Sequence, residues 1–147
     1  MEDVMSRVLV IDDESDVLLL CRVNLELAGF EVIEASDGRT GMDLAFGAQP
    51  DAVVLDLMLP GIDGAEILDA LVADPETRDL PIVVLSAKAL REDQMRGYRA
   101  GASEYVTKPF SPVALADLMT ELLAMSVEER RRRREAALEN LGSAPTA

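Results

Sequence analysis

The sequence predicts an α/β protein: an open, doubly wound sheet of five parallel strands with five helices on its two faces. Three observations carry this. Short apolar runs alternate five times with longer amphipathic segments, the pattern of repeated βα units. The runs are continuously apolar rather than alternating, as in parallel strands covered on both faces. Five units are too few for an eight-fold barrel, and right-handed crossovers leave the doubly wound sheet.

Each element has its own justification. Arg7–Ile11 is an apolar run ending in Asp12-Asp13 and reads as the first strand. Glu14–Ala28 places Val17, Leu18, Cys21, Leu25 and Ala28 at helical spacing. Gly29 is a suitable helix stop, with Phe30 placed to pack back across a Schellman-type end. Glu31–Ala35 reads as a strand and Asp37–Gly47 as a helix carrying Met42, Leu44, Ala45 and Phe46. Ala52–Leu55 is a buried strand ending at Asp56, followed by the Leu57–Asp63 loop with its Pro60-Gly61 turn. Gly64–Ala73 is helical, and Pro81–Leu85 is a strand ending at Ser86. Leu90–Ala100 reads as the fourth helix and Glu104–Val106 as a short fifth strand. Ser111–Met125 is the fifth helix, with Pro112 in its first turn.

Composition narrows the function. The 147 residues suit one globular domain with a short appendage, here 1–125 followed by 126–147. The net charge is −14, carried by the first 125 residues with 9 basic and 24 acidic groups. Such a surface repels a phosphate backbone, disfavouring direct DNA binding, and attracts divalent cations and basic partners. The absence of His excludes His-based catalysis and His metal sites, and a single cysteine, Cys21, excludes an internal disulfide. The acidic start Met1-Glu2-Asp3-Val4 lacks a secretory apolar core. The longest apolar runs are about five residues, against the roughly 18–20 that span a bilayer. A soluble cytoplasmic protein is the expectation.

In a doubly wound sheet ligands bind outside the carboxyl ends of the strands. There the sequence places Asp12 and Asp13, Asp56, Ser86 and, after the fifth strand, Lys108. Taken singly these are helix caps, loop residues or a solvated lysine. Together they bring three carboxylates, a hydroxyl and an ammonium from four segments to one edge. Clustered carboxylates call for a cation, and Mg²⁺ takes a few carboxylates, carbonyls and waters. Asp56 is left as a carboxylate able to act as a nucleophile toward a phosphoryl group. The cation, Lys108 and Ser86 would stabilise the phosphoryl oxygens.

The segments Val10–Glu14, Val54–Gly64, Leu85–Lys88 and Gly101–Phe110 resemble, in this order and spacing, a two-component response-regulator receiver domain of the chemotaxis type, over about residues 6–125. The resemblance implies the flavodoxin-like strand order 2-1-3-4-5. It implies that Asp56 accepts phosphate from a sensor histidine kinase or phosphotransfer protein. Asp13, Asp56 and the Met58 backbone carbonyl would hold Mg²⁺, with Asp12 acting through water. Lys108, before a cis peptide to Pro109, would contact the phosphoryl group. Ser86 would be the switch hydroxyl and Tyr105 the aromatic switch, turning inward as Ser86 moves. Met58 offers no hydrogen bond to an attacking water, and with Lys88 it occupies positions that set the phosphoryl lifetime. Such a chain is a signalling domain, not an enzyme in its own right. Its output would pass through the face of the fourth helix, fifth strand and fifth helix to a downstream partner, with phosphorylation-dependent homodimerisation as a further possibility.

Other readings fit less well. A haloacid-dehalogenase-type phosphatase needs a second Asp at position 58, which is Met. A flavodoxin needs a Ser/Thr/Gly-rich phosphate loop after the first strand, which is missing, and aromatics to sandwich a flavin, which are few; separately, no Gly-x-x-x-x-Gly-Lys-Ser/Thr nucleotide loop exists. The serious alternative is a degenerate receiver acting as a phosphorylation-independent interaction module. The complete acidic set, Ser86 and Lys108 argue against it.

Beyond residue 125, Ser126-Val127-Glu128-Glu129 fits a capping box. Five arginines, Arg130–Arg134, follow. Glu128/Arg132, Glu129/Arg133 and Arg131/Glu135 lie at i,i+4, so a solvated helix with its arginines in water is expected, and Ser143–Ala147 reads as disordered. No DNA-binding or catalytic output domain fits in 126–147. A stand-alone receiver and a linker leading into a longer regulator remain equally open.

Overall fold

The computed structural model describes residues 5–142. Its elements run β1 (Arg7–Ile11), α1 (Ser15–Leu27), β2 (Glu31–Ala35), α2 (Gly38–Gly47), β3 (Ala52–Asp56), α3 (Gly64–Ala73), β4 (Ile82–Ser86), α4 (Arg91–Arg99), β5 (Glu104–Thr107), α5 (Pro112–Ala124) and α6 (Val127–Gly142). The strands form one parallel sheet in the order β2-β1-β3-β4-β5. The sheet and its five helices agree with the expectation, and the helix expected in the tail after residue 125 forms as α6, 16 residues long. The disorder expected of Ser143–Ala147 lies outside the described residues. Among the described residues, no helix is long and apolar enough to cross a membrane.

The pleat sorts the apolar strand residues onto two cores. Val8, Val10, Val54, Val83 and Leu85 face α1 and α5, where Leu18, Cys21, Leu25, Leu115, Met119 and Leu122 cover them. Leu9, Ile11, Val53, Leu55, Ile82 and Val84 face the opposite side, under Ala45, Ile67, Leu68, Leu71 and Tyr98. Burial on both faces is why β1, β3 and β4 have no polar alternation. Beyond their apolar runs, the next polar side chains come where the sheet stops: Asp12 follows β1, Asp56 ends β3 and Ser86 ends β4. The register pairs Ile11 with Leu55, Asp56 with Leu85 and Ser86 with Thr107, so these ends are level.

Local signals explain most boundaries. Gly29 takes φ +98 and the Phe30 amide bonds to the Leu25 carbonyl at 3.0 Å, closing α1 as expected. Asp37 and Ser111 cap α2 and α5 through their side chains. Ser126 and Glu129 form the reciprocal capping box that starts α6: the Glu129 amide donates to Ser126 Oγ at 3.1 Å and the Ser126 amide to Glu129 Oε1 at 3.2 Å.

The expectation for the arginine run requires correction. None of the three i,i+4 pairs forms among the described residues. Arg131 pairs with Glu128, while Arg133 reaches out of α6 to Glu104 on β5 and Glu121 on α5. Arg130 donates to the carbonyls of Leu122, Met125 and Asp79 at 3.0, 2.6 and 3.0 Å. The partly buried Glu104 carboxylate holds Arg133 in place of the exposed Glu129, and the free carbonyls at the end of α5 take Arg130.

Candidate functional site

Three polar strand ends and one loop lysine converge at the carboxyl edge of the sheet. Asp56 is 3% exposed. Its Oδ1 accepts the Met58 amide at 2.9 Å and its Oδ2 accepts from Lys108 Nζ at 3.2 Å. Asp12 is fully buried; its Oδ1 accepts the Glu14 amide at 2.9 Å, and its Oδ2 lies 2.9 Å from Lys108 Nζ. Asp13 is exposed, yet ligand oxygens of Asp12, Asp13 and Asp56 lie within 4.8 Å of one another. The close approach of chain segments here depends on Gly64: a Cβ at that position would meet the Asp56 carbonyl oxygen at 2.3 Å.

Lys108 is fixed at both ends. Its amide donates to the Ser86 carbonyl at 2.8 Å, and the peptide bond to Pro109 is cis, as expected. Its ammonium contacts Asp12, Asp56 and also Glu14, at 2.9 Å. Glu14 was not assigned a role from sequence. Its signal was its place directly after Asp12-Asp13, where the turn into α1 brings it round to the same loop.

The electrostatics are unbalanced. Three carboxylates contact one ammonium, and a fourth, Asp13, lies beside two of them. Burial raises the Asp12 pKa and the Asp56 charge adds to this, against the lowering effect of Lys108 and the Glu14 amide. Burial alone would depress Lys108, but its bonds to Asp12 and Glu14 and the charge of Asp56 outweigh that and hold it above its ordinary range. Asp12 Oδ2 receives no well-angled hydrogen bond among the described residues despite the nearby ammonium. An under-satisfied buried carboxylate oxygen beside an exposed one, in an all-oxygen set, fits a hard divalent cation with part of its water shell retained.

Ser86 is fully buried and its Oγ accepts the Lys88 amide at 3.1 Å. Tyr105 lies inward, 6% exposed, with its hydroxyl donating to the Lys88 carbonyl at 2.7 Å and its ring against Gly97. Burial raises its pKa, offset in part by the Ser86 hydroxyl. The inward position expected only after switching is therefore already taken here. The Met58 side chain is exposed, and as a thioether it offers no hydrogen-bond donor beside Asp56.

This strand order, with an acidic triad and a lysine at the carboxyl edge, is the arrangement that the receiver resemblance implies. The chain belongs to the response regulator receiver domain family, whose model matches residues 8–120. It is 43% identical over 106 residues to the DNA-binding dual master transcriptional regulator RpaA of Synechocystis, covering 72% of this chain and 44% of that protein. Among solved structures it resembles a putative response regulator from Chloroflexus aurantiacus (TM-score 0.78, 33% identity, covering 83% of this chain and all of that one). It also resembles the chemotaxis response regulator CheY4 of Vibrio cholerae (TM-score 0.76, 28% identity, 81% and 99% covered). The chain spans about half the length of the curated relatives it matches.

Proposed function

We propose that this receiver accepts a phosphoryl group on Asp56 from the phosphohistidine of a sensor histidine kinase or phosphotransfer protein. The observation that carries the reading is the meeting of Asp12-Asp13, Asp56 and Lys108, from three segments, at the end of the central strand, with Lys108 Nζ 3.2 Å from Asp56 Oδ2. A carboxylate oxygen of Asp56 attacks phosphorus, the P–N bond breaks, and the departing imidazole takes a proton from solvent. Lys108, held by Asp12 and Glu14, swings little to meet the arriving phosphoryl oxygens. The buried Ser86 hydroxyl, one residue beyond Leu85, the register partner of Asp56, supplies a further donor. Asp13, Asp56 and the Met58 carbonyl would hold Mg²⁺, with Asp12 reaching it through water; when bound, the cation neutralises charge on the transferred group.

The chain is on this reading a cytoplasmic phosphoacceptor rather than an enzyme acting on a separate substrate, and its output is conformational, through Ser86 and Tyr105 to a protein partner. Incubation with acetyl phosphate tests the reading. One base-labile phosphoryl group per chain is expected, dependent on Mg²⁺ and lost in Asp56→Asn. Absence of labelling would favour a receiver that acts only as an interaction module.

A further inference from the structure

The face formed by α4, β5 and α5 is not free. α6 turns back after α5 and packs along α4. Ala137, Leu138 and Leu141 of α6 lie against the apolar cluster that contains Tyr98 and Tyr105. Arg133 bonds Glu104 at the start of β5, through Nε and Nη2 to the same oxygen, and approaches Glu121 on α5 at 3.6 Å. Arg130 ties the first turn of α6 to the last carbonyls of α5. The tail helix thus touches all three elements of the face.

The attachment is light. No residue of α6 is buried, and only three partly buried apolar side chains anchor it. A detached helix of this length is marginal in water. Its order therefore depends on docking, and a modest change in the face can undo it.

A continuous set of hydrogen bonds joins that face to Ser86, at the strand end next to the phosphoacceptor's. Ser86 Oγ accepts the Lys88 amide, and the Lys88 carbonyl accepts the Tyr105 hydroxyl. The Tyr105 amide donates to Tyr98 Oη at 3.2 Å, and the Tyr98 hydroxyl donates to Glu104 Oε1 at 2.6 Å. The other Glu104 oxygen holds Arg133. One carboxylate is therefore shared by the tyrosine that senses β5 and the arginine that holds α6.

We propose that α6 is a built-in occupant of the α4–β5–α5 face, latched by Arg133 on Glu104, and that phosphorylation of Asp56 releases it. This rests on the receiver reading above. A phosphoryl group draws the Ser86 hydroxyl toward it, and Lys88 moves with Ser86. The Tyr105 ring, bonded to the Lys88 carbonyl, follows that movement, and Tyr98 and Glu104 readjust beneath Arg133. The vacated face fits a partner helix that offers a basic side chain to Glu104 and a short apolar stripe to the Tyr98 side. In the unphosphorylated chain α6 competes with that helix.

Amide hydrogen exchange on the full chain tests this, with phosphoryl occupancy read by intact mass in the same samples. Without phosphodonor, Arg133→Gln is expected to speed exchange across 127–142 and leave α1 unchanged; wild-type protection in that variant would refute the latch. With acetyl phosphate and Mg²⁺, phosphorylated wild type is expected to exchange α6 about 5- to 150-fold faster, the usual span of allosteric coupling. Phosphorylated chain with α6 unchanged or better protected would overturn the inference and leave the receiver reading intact. A chain that takes no phosphoryl group would refute both. Tyr98→Phe, which keeps the ring but not the hydroxyl, is expected to be phosphorylated normally and to release α6 less. Release equal to wild type would show that Tyr98 does not carry the coupling.

Discussion

Replacing Lys108 with Met keeps most of the side-chain stem and removes the one ammonium from the acidic site. Its Nζ lies 2.9 Å from Asp12 and 3.2 Å from Asp56, carboxylates with only 1% and 4% of their side chains exposed. At an effective dielectric constant of about 20, each contact represents roughly 5–6 kcal/mol of gross attraction. Desolvation offsets much of that in the native chain. What the variant loses is the partner of two buried charges, a change of about 3–5 kcal/mol. Glu14, 59% exposed, adds little. Urea unfolding near neutral pH in EDTA should show the loss directly. Mg²⁺ should then stabilise the variant more than wild type, because the cation no longer competes with the ammonium. The sign of the pH dependence follows from Asp12, whose folded pKa is already raised and would rise further. A carboxyl that binds its proton more tightly when folded makes stability increase as pH falls through its folded pKa toward the ordinary 3.8. The deficit of the variant should therefore shrink on acidification. A deficit below about 1 kcal/mol, or one that does not change with pH, would refute the claim that Lys108 holds this cluster together.

Three further outcomes are expected. Gly97→Ala places a Cβ 2.7 Å from the Tyr105 ring, so it should cost about 1–3 kcal/mol and turn the ring outward, read by urea unfolding and tyrosine fluorescence. Cys21 is fully buried and its thiol is pushed up to about 12 by burial, so a thiol reagent near neutral pH should react only as fast as the chain unfolds. Asp13→Ala removes the exposed member of the acidic set and should weaken Mg²⁺ binding and acetyl phosphate labelling together; calorimetric Mg²⁺ titration equal to wild type would place the cation elsewhere.

The strands and the acidic edge were legible because one rule fixes both. A run buried on both faces has to be apolar throughout, so the first polar residue after it marks where the sheet ends. Asp12, Asp56 and Ser86 are those residues. The docking of α6 was not legible. Its apolar stripe is only Ala137, Leu138 and Leu141, and its arginines have acidic neighbours at helical spacing, which favours a solvated reading. The groups that claim them instead, Glu104 and the Asp79 carbonyl, are 29 and 51 residues away. Tyr98 drew no assignment for a related reason: it lies within a polar helix, and only the turn into β5 brings its hydroxyl between the Tyr105 amide and Glu104. The inward Tyr105 was expected as a consequence of switching, whereas contact with Gly97 and the Lys88 carbonyl is enough to hold it there.

The central claim is that Asp56, and no other residue, carries the phosphoryl group. An acyl phosphate is reduced by borohydride to an alcohol, so a phosphorylated Asp leaves homoserine at its own position. Chain treated with acetyl phosphate and Mg²⁺, reduced, digested and sequenced by mass spectrometry should show homoserine at position 56 and nowhere else. Homoserine at position 12 or 13, or an acid-stable phosphate on Ser86, would contradict the account.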